Sequence, residues 1–283
     1  GFAAELVYIK TEGDTDLQTP LYEMGMQGIF TRSLDIALLN AKIDIAVHSM
    51  KDVPTQLAKG IVQAAVLKRA SYKDLLVYKN DISFLSDLNS TAVIATSSIR
   101  RKAQWLNRFP YHTIENLRGN VNTRLKKLDE ANWTAAVFSA AGLERINLRP
   151  QNSIEPDWML PAPAQGAILV VCRQDDERCL NACAHFNDSD TALCAKIERD
   201  FLRTLLGGCS TPISALAVIK NGVVYFKGNI LSPDGKEKAE LEASAGVYES
   251  ADLGAKTALA LLQKGGQAVA ETIRKNSLNI IFK

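Results

Sequence analysis

Long apolar runs are missing from this sequence, and so is any strong excess of charge. No stretch of its 283 residues approaches the roughly 20 apolar residues of a membrane-spanning helix. No secretory leader is visible at its start, where Gly1 is not a natural first residue. No membrane partner is expected. The net charge of +2 is too small for a broad nucleic-acid surface, so no nucleic-acid partner is expected either. Any anion site must come from a local cluster of arginines. Cysteine is scarce and odd in number: Cys172, Cys179, Cys183, Cys194 and Cys209. That scatter argues against a disulfide framework and for a reducing compartment, the cytoplasm. Cys179, Cys183 and His185 lack a fourth ligand at metal-site spacing, so packing on a helix is the reading and no metal is expected.

What is present is an ordinary globular composition, 47% hydrophobic and 23% charged, enough for two or three domains with real cores. The chain is organised around Ile43 to Pro54, IDIAVHSMKDVP. Ile43, Ile45, Ala46 and Val47 suit a buried strand, and the run then turns polar at His48, Ser49, Lys51 and Asp52. Pro54 cannot donate to a sheet ladder, so the strand ends before it. In open α/β sheets ligands collect beyond strand carboxyl ends, which places Lys51 and Asp52 where a reacting group would be held. The plainer reading is a solvated Lys–Asp turn.

Around this stretch, Ala3 to Ile9 suits a strand, Thr11 to Gln27 reads as a long loop, and Ile29 to Leu39 as an amphipathic helix. Ile61 to Leu67 is a strand, and Ser71 to Lys73 reads as a hinge before another strand at Leu75 to Tyr78. Strands follow at Thr91 to Ala95, Tyr111 to Glu115 and Thr134 to Ser139.

Two strand-to-helix junctions share one design. After the strand at Thr91, Thr96, Ser97 and Ser98 supply an N-cap, and the helix from Ile99 carries Arg100 and Arg101 in its first turn. After the strand at Tyr111, Leu117-Arg118-Gly119-Asn120 leads to a helix from Val121 to Glu130, capped by Asn120, with Arg124 in its first turn. Cations at a helix start oppose its dipole. A bound carboxylate or phosphate would resolve both mismatches. Removing Arg100 or Arg124 would then relieve the mismatch and leave stability unchanged or slightly improved. Arginines pointing to solvent or bridging nearby acids are the plainer alternative.

Leu160 to Gly166, LPAPAQG, reads as an interdomain crossing, followed by a strand at Ala167 to Val171 and helices at Asp175 to Phe186 and Asp190 to Leu206. Gly207-Gly208-Cys209-Ser210-Thr211-Pro212 is a tight turn. The tail changes character. Strands at Ile213 to Ile219 and Val223 to Ile230 flank Asn221-Gly222, a strong hairpin signal, with a third strand at Leu241 to Ala245 and a helix at Ala251 to Lys264. This predicts a smaller α+β domain.

HSMKDVP (48–54), TSSIRR (96–101), LRGNVNTRL (117–125), AAGLERI (140–146), AQGA (164–167) and GGCSTPI (207–213) together resemble the porphobilinogen deaminase family, also called hydroxymethylbilane synthases. The resemblance runs over nearly the whole chain in the right order. It implies two α/β lobes of the periplasmic-binding-protein type and a small C-terminal α+β domain. Lobe one would span 1–70 and 167–186, lobe two 71–166 and the third domain 187–283. It implies a transferase of tetrapyrrole biosynthesis that joins four porphobilinogen molecules head to tail with release of ammonia. The growing chain would be anchored on a dipyrromethane cofactor, itself held by a cysteine through a thioether.

Carried over by resemblance, Cys209 would hold the dipyrromethane and Asp52 would be the catalytic carboxylate. Lys51, Ser97, Arg100, Arg101 and Gln165 would contact the cofactor, and Arg118, Arg124 and Arg145 the substrate's acetate and propionate groups. Arginine suits that task because its planar fork is always charged. A carboxylate beside the pyrrole nitrogens would stabilise the cation left by deamination. A monomer is expected.

The sequence departs from the family pattern in three places. An earlier strand–helix unit, expected before lobe one, does not precede Gly1. Gly25-Met26-Gln27-Gly28 lacks the lysine of the family's lid segment, and Glu12 stands where an arginine is common. The competing reading is a non-catalytic two-lobe protein that binds a dicarboxylate. It would use the arginines but gives no role to Asp52 or Cys209.

Overall fold

The computed structural model describes residues 3–11, 31–205 and 211–281, with side chains to 274. The Gly25–Gly28 segment, Glu12, most of the loop after Thr11 and the turn carrying Cys209 lie outside the described residues. Three sheets organise the rest.

The first sheet holds β1 (Ile45–Ser49), β2 (Ile61–Val66) and β8 (Ile168–Arg173), with β8 in the middle and antiparallel to both neighbours. Helix α1 (Arg32–Leu39) packs Leu38 onto its core beside Ala46, Met50, Ile61, Leu169 and Val171. β1 is not the fully buried strand its apolar run suggested. Ala46 and His48 point inward, whereas Ile45 and Val47 are exposed, because among the described residues this sheet is covered on one face at β1. Ala3 to Ile9 forms no strand, and Leu6 and Tyr8 are exposed. Among the described residues no strand lies beside it, and an apolar run without a neighbour has no ladder to join.

The second sheet runs in the order β5 (Thr113–Glu115), β4 (Val93–Ala95), β6 (Ala135–Ser139), β3 (Asp74–Tyr78), β7 (Ser153–Ile154). β4 pairs in parallel with β5 and β6, and β3 runs antiparallel between β6 and β7. Both faces are covered, so its strands read as unbroken apolar runs. Leu75, Val77, Ala136 and Phe138 meet Leu117, Leu128 and Leu143, from the side of helices α3 (Val121–Glu130) and α4 (Ala140–Glu144). Leu76, Ile94, Ala135 and Val137 meet Trp105, Phe109 and Phe84 on the side of α2 (Ile99–Arg108). The expected caps are in place: Ser98 accepts from the Arg101 amide and Asn120 from the Thr123 amide.

Helices α5 (Glu177–Ala184) and α6 (Ser189–Leu205) lead to an antiparallel meander, β9 (Ile213–Lys220), β10 (Val223–Leu231) and β11 (Lys238–Gly246). Ile197, Phe201 and Leu205 of α6 form its core with Ile213, Val224, Phe226 and Ile230. The expected single C-terminal helix is two, α7 (Leu253–Leu261) and α8 (Gln267–Ile281). Gly265 breaks them apart at φ +100°, a conformation that favours glycine.

Two strands of chain cross between the first two sheets, residues 67–73 and 160–167. They lie side by side, with Leu67 N–H donating to the Ile168 carbonyl (3.0 Å) and Ala70 N–H to the Gly166 carbonyl (3.2 Å). Gly166 has φ +89°, and a Cβ there would sit 2.7 Å from the Ser71 carbonyl oxygen. Only glycine lets the crossings approach this closely.

One carboxylate fastens both crossings to α6. Glu198 is fully buried and takes a two-pronged ion pair from Arg69, at 2.6 and 3.0 Å. It also accepts from the Ala164 amide (2.6 Å) and the Ala217 amide of β9 (2.7 Å). Arg69 Nε donates to the Gln165 carbonyl at 2.8 Å. Glu198→Gln keeps the shape but leaves a buried guanidinium without its counter-charge, and is expected to cost about 3–5 kcal/mol in urea unfolding. A loss below about 1 kcal/mol would mean that packing, not the ion pair, holds the crossings.

Candidate active site

The backbone after β1 does not run on into solvent. Met50 turns into the core and its N–H donates to the Ala167 carbonyl at 3.0 Å, while Val53 N–H closes the turn on the Met50 carbonyl at 3.3 Å. The short 3₁₀ turn Met50–Asp52 thus has buried residues, Met50 and Val53, on either side of half-buried Lys51 and Asp52. Burial raises the Asp52 carboxyl above its ordinary range, and the charges of Lys51, Arg124 and Arg101 pull it back. Two of those three cations come from the second sheet's helices, so the site spans both lobes. Lys51 is pushed down to about 8, first by burial and then by the neighbouring arginines, against Asp52 and Asp74.

Gln165 stands where the crossings meet, fully buried. Its Oε1 accepts from Lys51 Nζ at 3.3 Å, and its Nε2 donates to the Tyr72 carbonyl (2.8 Å) and to Asp74 Oδ1 (2.9 Å). One amide therefore joins the Asp52 turn to the start of β3.

Asp74 is the residue that sequence reasoning missed. It is buried at the first position of β3. Arg100 Nη2 donates to its Oδ2 at 2.7 Å, and Arg101 donates to Oδ1 from Nη2 (2.8 Å) and Nε (3.1 Å). Burial alone would raise this carboxyl, but Arg100 and Arg101 outweigh it and hold it well below the usual range. The remaining bonds go to backbone, from Arg100 Nη1 to the Leu160 carbonyl (2.7 Å) and Arg101 Nη1 to that of Val137 (3.0 Å). The signal was there to read: a lone acid opening an otherwise apolar strand.

This corrects the charge argument at the first junction. Arg100 and Arg101 do not wait for an anion to relieve the dipole; Asp74 already does so. Each still has N–H groups left over, because a guanidinium carries five. The second junction keeps its mismatch. Among the described residues, the Gly119 carbonyl at 2.6 Å is the one hydrogen-bond partner of the Arg124 guanidinium. Burial, Arg101 and Arg118 push Arg124 down to about 10, with Asp52 opposing them. Arg118 is buried beside it.

The other candidates fall in different places. Ser97 Oγ donates to the Leu117 carbonyl and so ties the two junction loops together. Arg145 is exposed at the end of α4 and donates to the Gly166 carbonyl at 3.2 Å, on the hinge rather than in the cluster. The Cys209 assignment lies outside the described residues. Cys172, Cys179, Cys183 and Cys194 are free, and burial raises all four thiols, Cys179 to about 11 and Cys194 to about 12.

A family model described as "Porphobilinogen deaminase, dipyromethane cofactor binding domain" matches residues 1–181, and one described as "Porphobilinogen deaminase, C-terminal domain" matches 192–263. The chain belongs to the porphobilinogen deaminase family. Porphobilinogen deaminase from Brevibacillus brevis is 39% identical over 98% of this chain and 91% of its own length. The chloroplastic porphobilinogen deaminase of Pisum sativum is 44% identical over 84% of this chain and 65% of its own. Among solved structures, an ancestral cationic amino acid solute binding protein is 16% identical at a TM-score of 0.36, covering 55% of this chain and 66% of its own.

The family's cofactor, a dipyrromethane, carries several carboxylates. The residues present fit such a group: Arg124 is a half-buried guanidinium with no carboxylate hydrogen-bonded to it, and Lys51, Arg101 and Arg118 stand around it. Arg100→Leu would leave Asp74 Oδ2 without its arginine, with Arg101 as the one guanidinium left on the carboxylate, and is expected to cost about 3 kcal/mol, whereas Arg124→Leu leaves stability unchanged or slightly raised. Because the folded Asp74 is held low, the network's stabilisation is full above about pH 4 and fades as pH falls further. Thermal unfolding of the two variants at pH 7 checks the contrast; equal losses would remove the distinction between the junctions.

Proposed function

We propose that this chain joins four porphobilinogen molecules head to tail into hydroxymethylbilane and releases one ammonia at each addition. The observation that carries this reading is a half-buried carboxylate, Asp52, faced by cations from both lobes. A dipyrromethane bound through a thioether to Cys209 would supply the nucleophilic pyrrole that starts the chain.

Loss of ammonia from porphobilinogen leaves a cationic methylene-pyrrolenine. Asp52 stabilises that cation and takes up the pyrrole nitrogen's proton in turn. Its raised carboxyl makes it a better base than a solvated aspartate. Arg118 and Arg124 hold the acetate and propionate groups of the incoming ring, and Arg145 stands at the hinge beside Gly166 as a further anchor. Arg100 and Arg101, fixed by Asp74, present their remaining N–H groups to the cofactor's carboxylates together with Lys51, Ser97 and Gln165. Fixed donors cost no reorganisation as the chain lengthens.

Support for Cys209 as the attachment point comes from the other cysteines. Burial raises the thiols of Cys172, Cys179, Cys183 and Cys194 and makes them poor nucleophiles. A reducing compartment, the cytoplasm, suits four free cysteines. The site residues all come from one chain, so a monomer suffices. We take 1–70 with 167–186 as lobe one, 71–166 as lobe two and 187–283 as the C-terminal domain, a division supported by one sheet in each. A non-catalytic dicarboxylate binder of the same build gives Asp52 nothing to do, and an aldehyde reagent for pyrroles would leave it unstained.

Asp52→Asn is expected to fold normally and to lower turnover of porphobilinogen at least about a hundredfold; near-normal turnover would remove Asp52 from the mechanism. Intact-mass spectrometry of the active protein should show one added dipyrrole on the Cys209 peptide, resistant to thiol reductants and absent from Cys209→Ser. Active enzyme with an unmodified Cys209 would contradict the anchored-chain reading.

A further inference from the structure

Arg199 sits on α6, one residue after the carboxylate that fastens the crossings. Its side chain reaches out of the C-terminal unit to the turn that carries Asp52. Nη1 donates to the carbonyls of Met50 (3.1 Å) and Val53 (2.9 Å), and Nη2 donates to the carbonyl of Pro54 (2.5 Å). These three acceptors bracket Asp52 on both sides. The residues near Asp52 in sequence offer no comparable clamp: the turn closes itself through the single, long Val53-to-Met50 bond of 3.3 Å. A planar fork of donors holds three converging carbonyls in set directions, and less freedom is lost in doing so than with a flexible ammonium.

The same helix runs to Leu205, four residues before Cys209 in the sequence. Through Glu198 it grips both crossings, and through Arg199 it grips the Asp52 turn. We infer that Arg199 is a positioning residue for Asp52, holding the Met50–Pro54 turn in its working geometry from the C-terminal domain. On the turn it meets the carbonyls of Met50, Val53 and Pro54, and it takes no part in the chemistry. The inference rests on the proposed reaction for its kinetic consequence, but not for the clamp itself.

The test uses the holoprotein and two readouts. In Arg199→Met the turn loses three hydrogen bonds while the side chain's length is kept. Amide exchange in the peptide covering residues 48–54 should rise at least about tenfold. Turnover number should fall at least about tenfold with KM within about twofold, because small misplacements of a reacting group are costly to the chemical step. The dipyrrole mass on Cys209 should remain. Arg199→Lys, which keeps the charge on α6, should recover part of both effects, and it serves as the reporting variant if Arg199→Met does not fold. Unchanged exchange in the turn would overturn the inference, as would unchanged turnover, or a loss explained by missing dipyrrole. If the wild-type protein consumes no porphobilinogen, the functional reading fails by itself, and the exchange measurement still decides whether Arg199 clamps the turn.

Discussion

The ion pairs of one buried aspartate set the geometry on which the site depends. Asp74 opens β3 just past the hinge, and in that dry position its charge requires partners. Arg100, Arg101 and Gln165 supply them. The two arginines are thereby locked at the start of α2 in a helix that their charge alone would disfavour. Gln165, held by the same carboxylate, orients Lys51 beside Asp52. A site that must handle a lengthening chain of acidic rings needs donors that do not search for their positions, and a buried counter-ion provides that rigidity.

The second constraint is the hinge. Two crossings at van der Waals distance around Gly166 would give two lobes freedom to rock. Glu198 reduces that freedom by tying Arg69, Ala164 and Ala217 to a single carboxylate. The C-terminal domain is therefore not an appendage that only carries a cysteine. Its first long helix is fastened to both crossings and to the Met50–Pro54 turn, so one helix braces the hinge and the Asp52 turn together. Arg124 is the counterpoint. Among the described residues it is held by one backbone carbonyl, and of its charged neighbours Asp52 is the one that favours its charge.

Much of this was legible in the chain. Polar residues after an apolar strand located Lys51 and Asp52, and Ser98 and Asn120 gave two helix starts as the structure has them. Asn221-Gly222 gave the hairpin, whose strands pair from Val223 opposite Lys220 onward. These are local effects, in which a residue's own backbone preference decides the outcome. The failures were also physical. Ala3 to Ile9 has strand composition but no strand to pair with among the described residues, and Ile45 and Val47 were taken as buried because nothing local shows which face of a sheet is covered.

Sequence by itself determined the family, the order of elements, and which residue types stand at the two junctions. These follow from motifs and from preferences that act over a few residues. Only the tertiary structure decided that Arg100 and Arg101 answer to Asp74 while Arg124 does not. The same holds for Glu198 and Arg199, which sit side by side on one helix yet secure the hinge and the Asp52 turn. Charge pairing in a buried site depends on what folding brings within about 3 Å, and partners separated by 26 to 149 positions along the chain leave no local trace of each other.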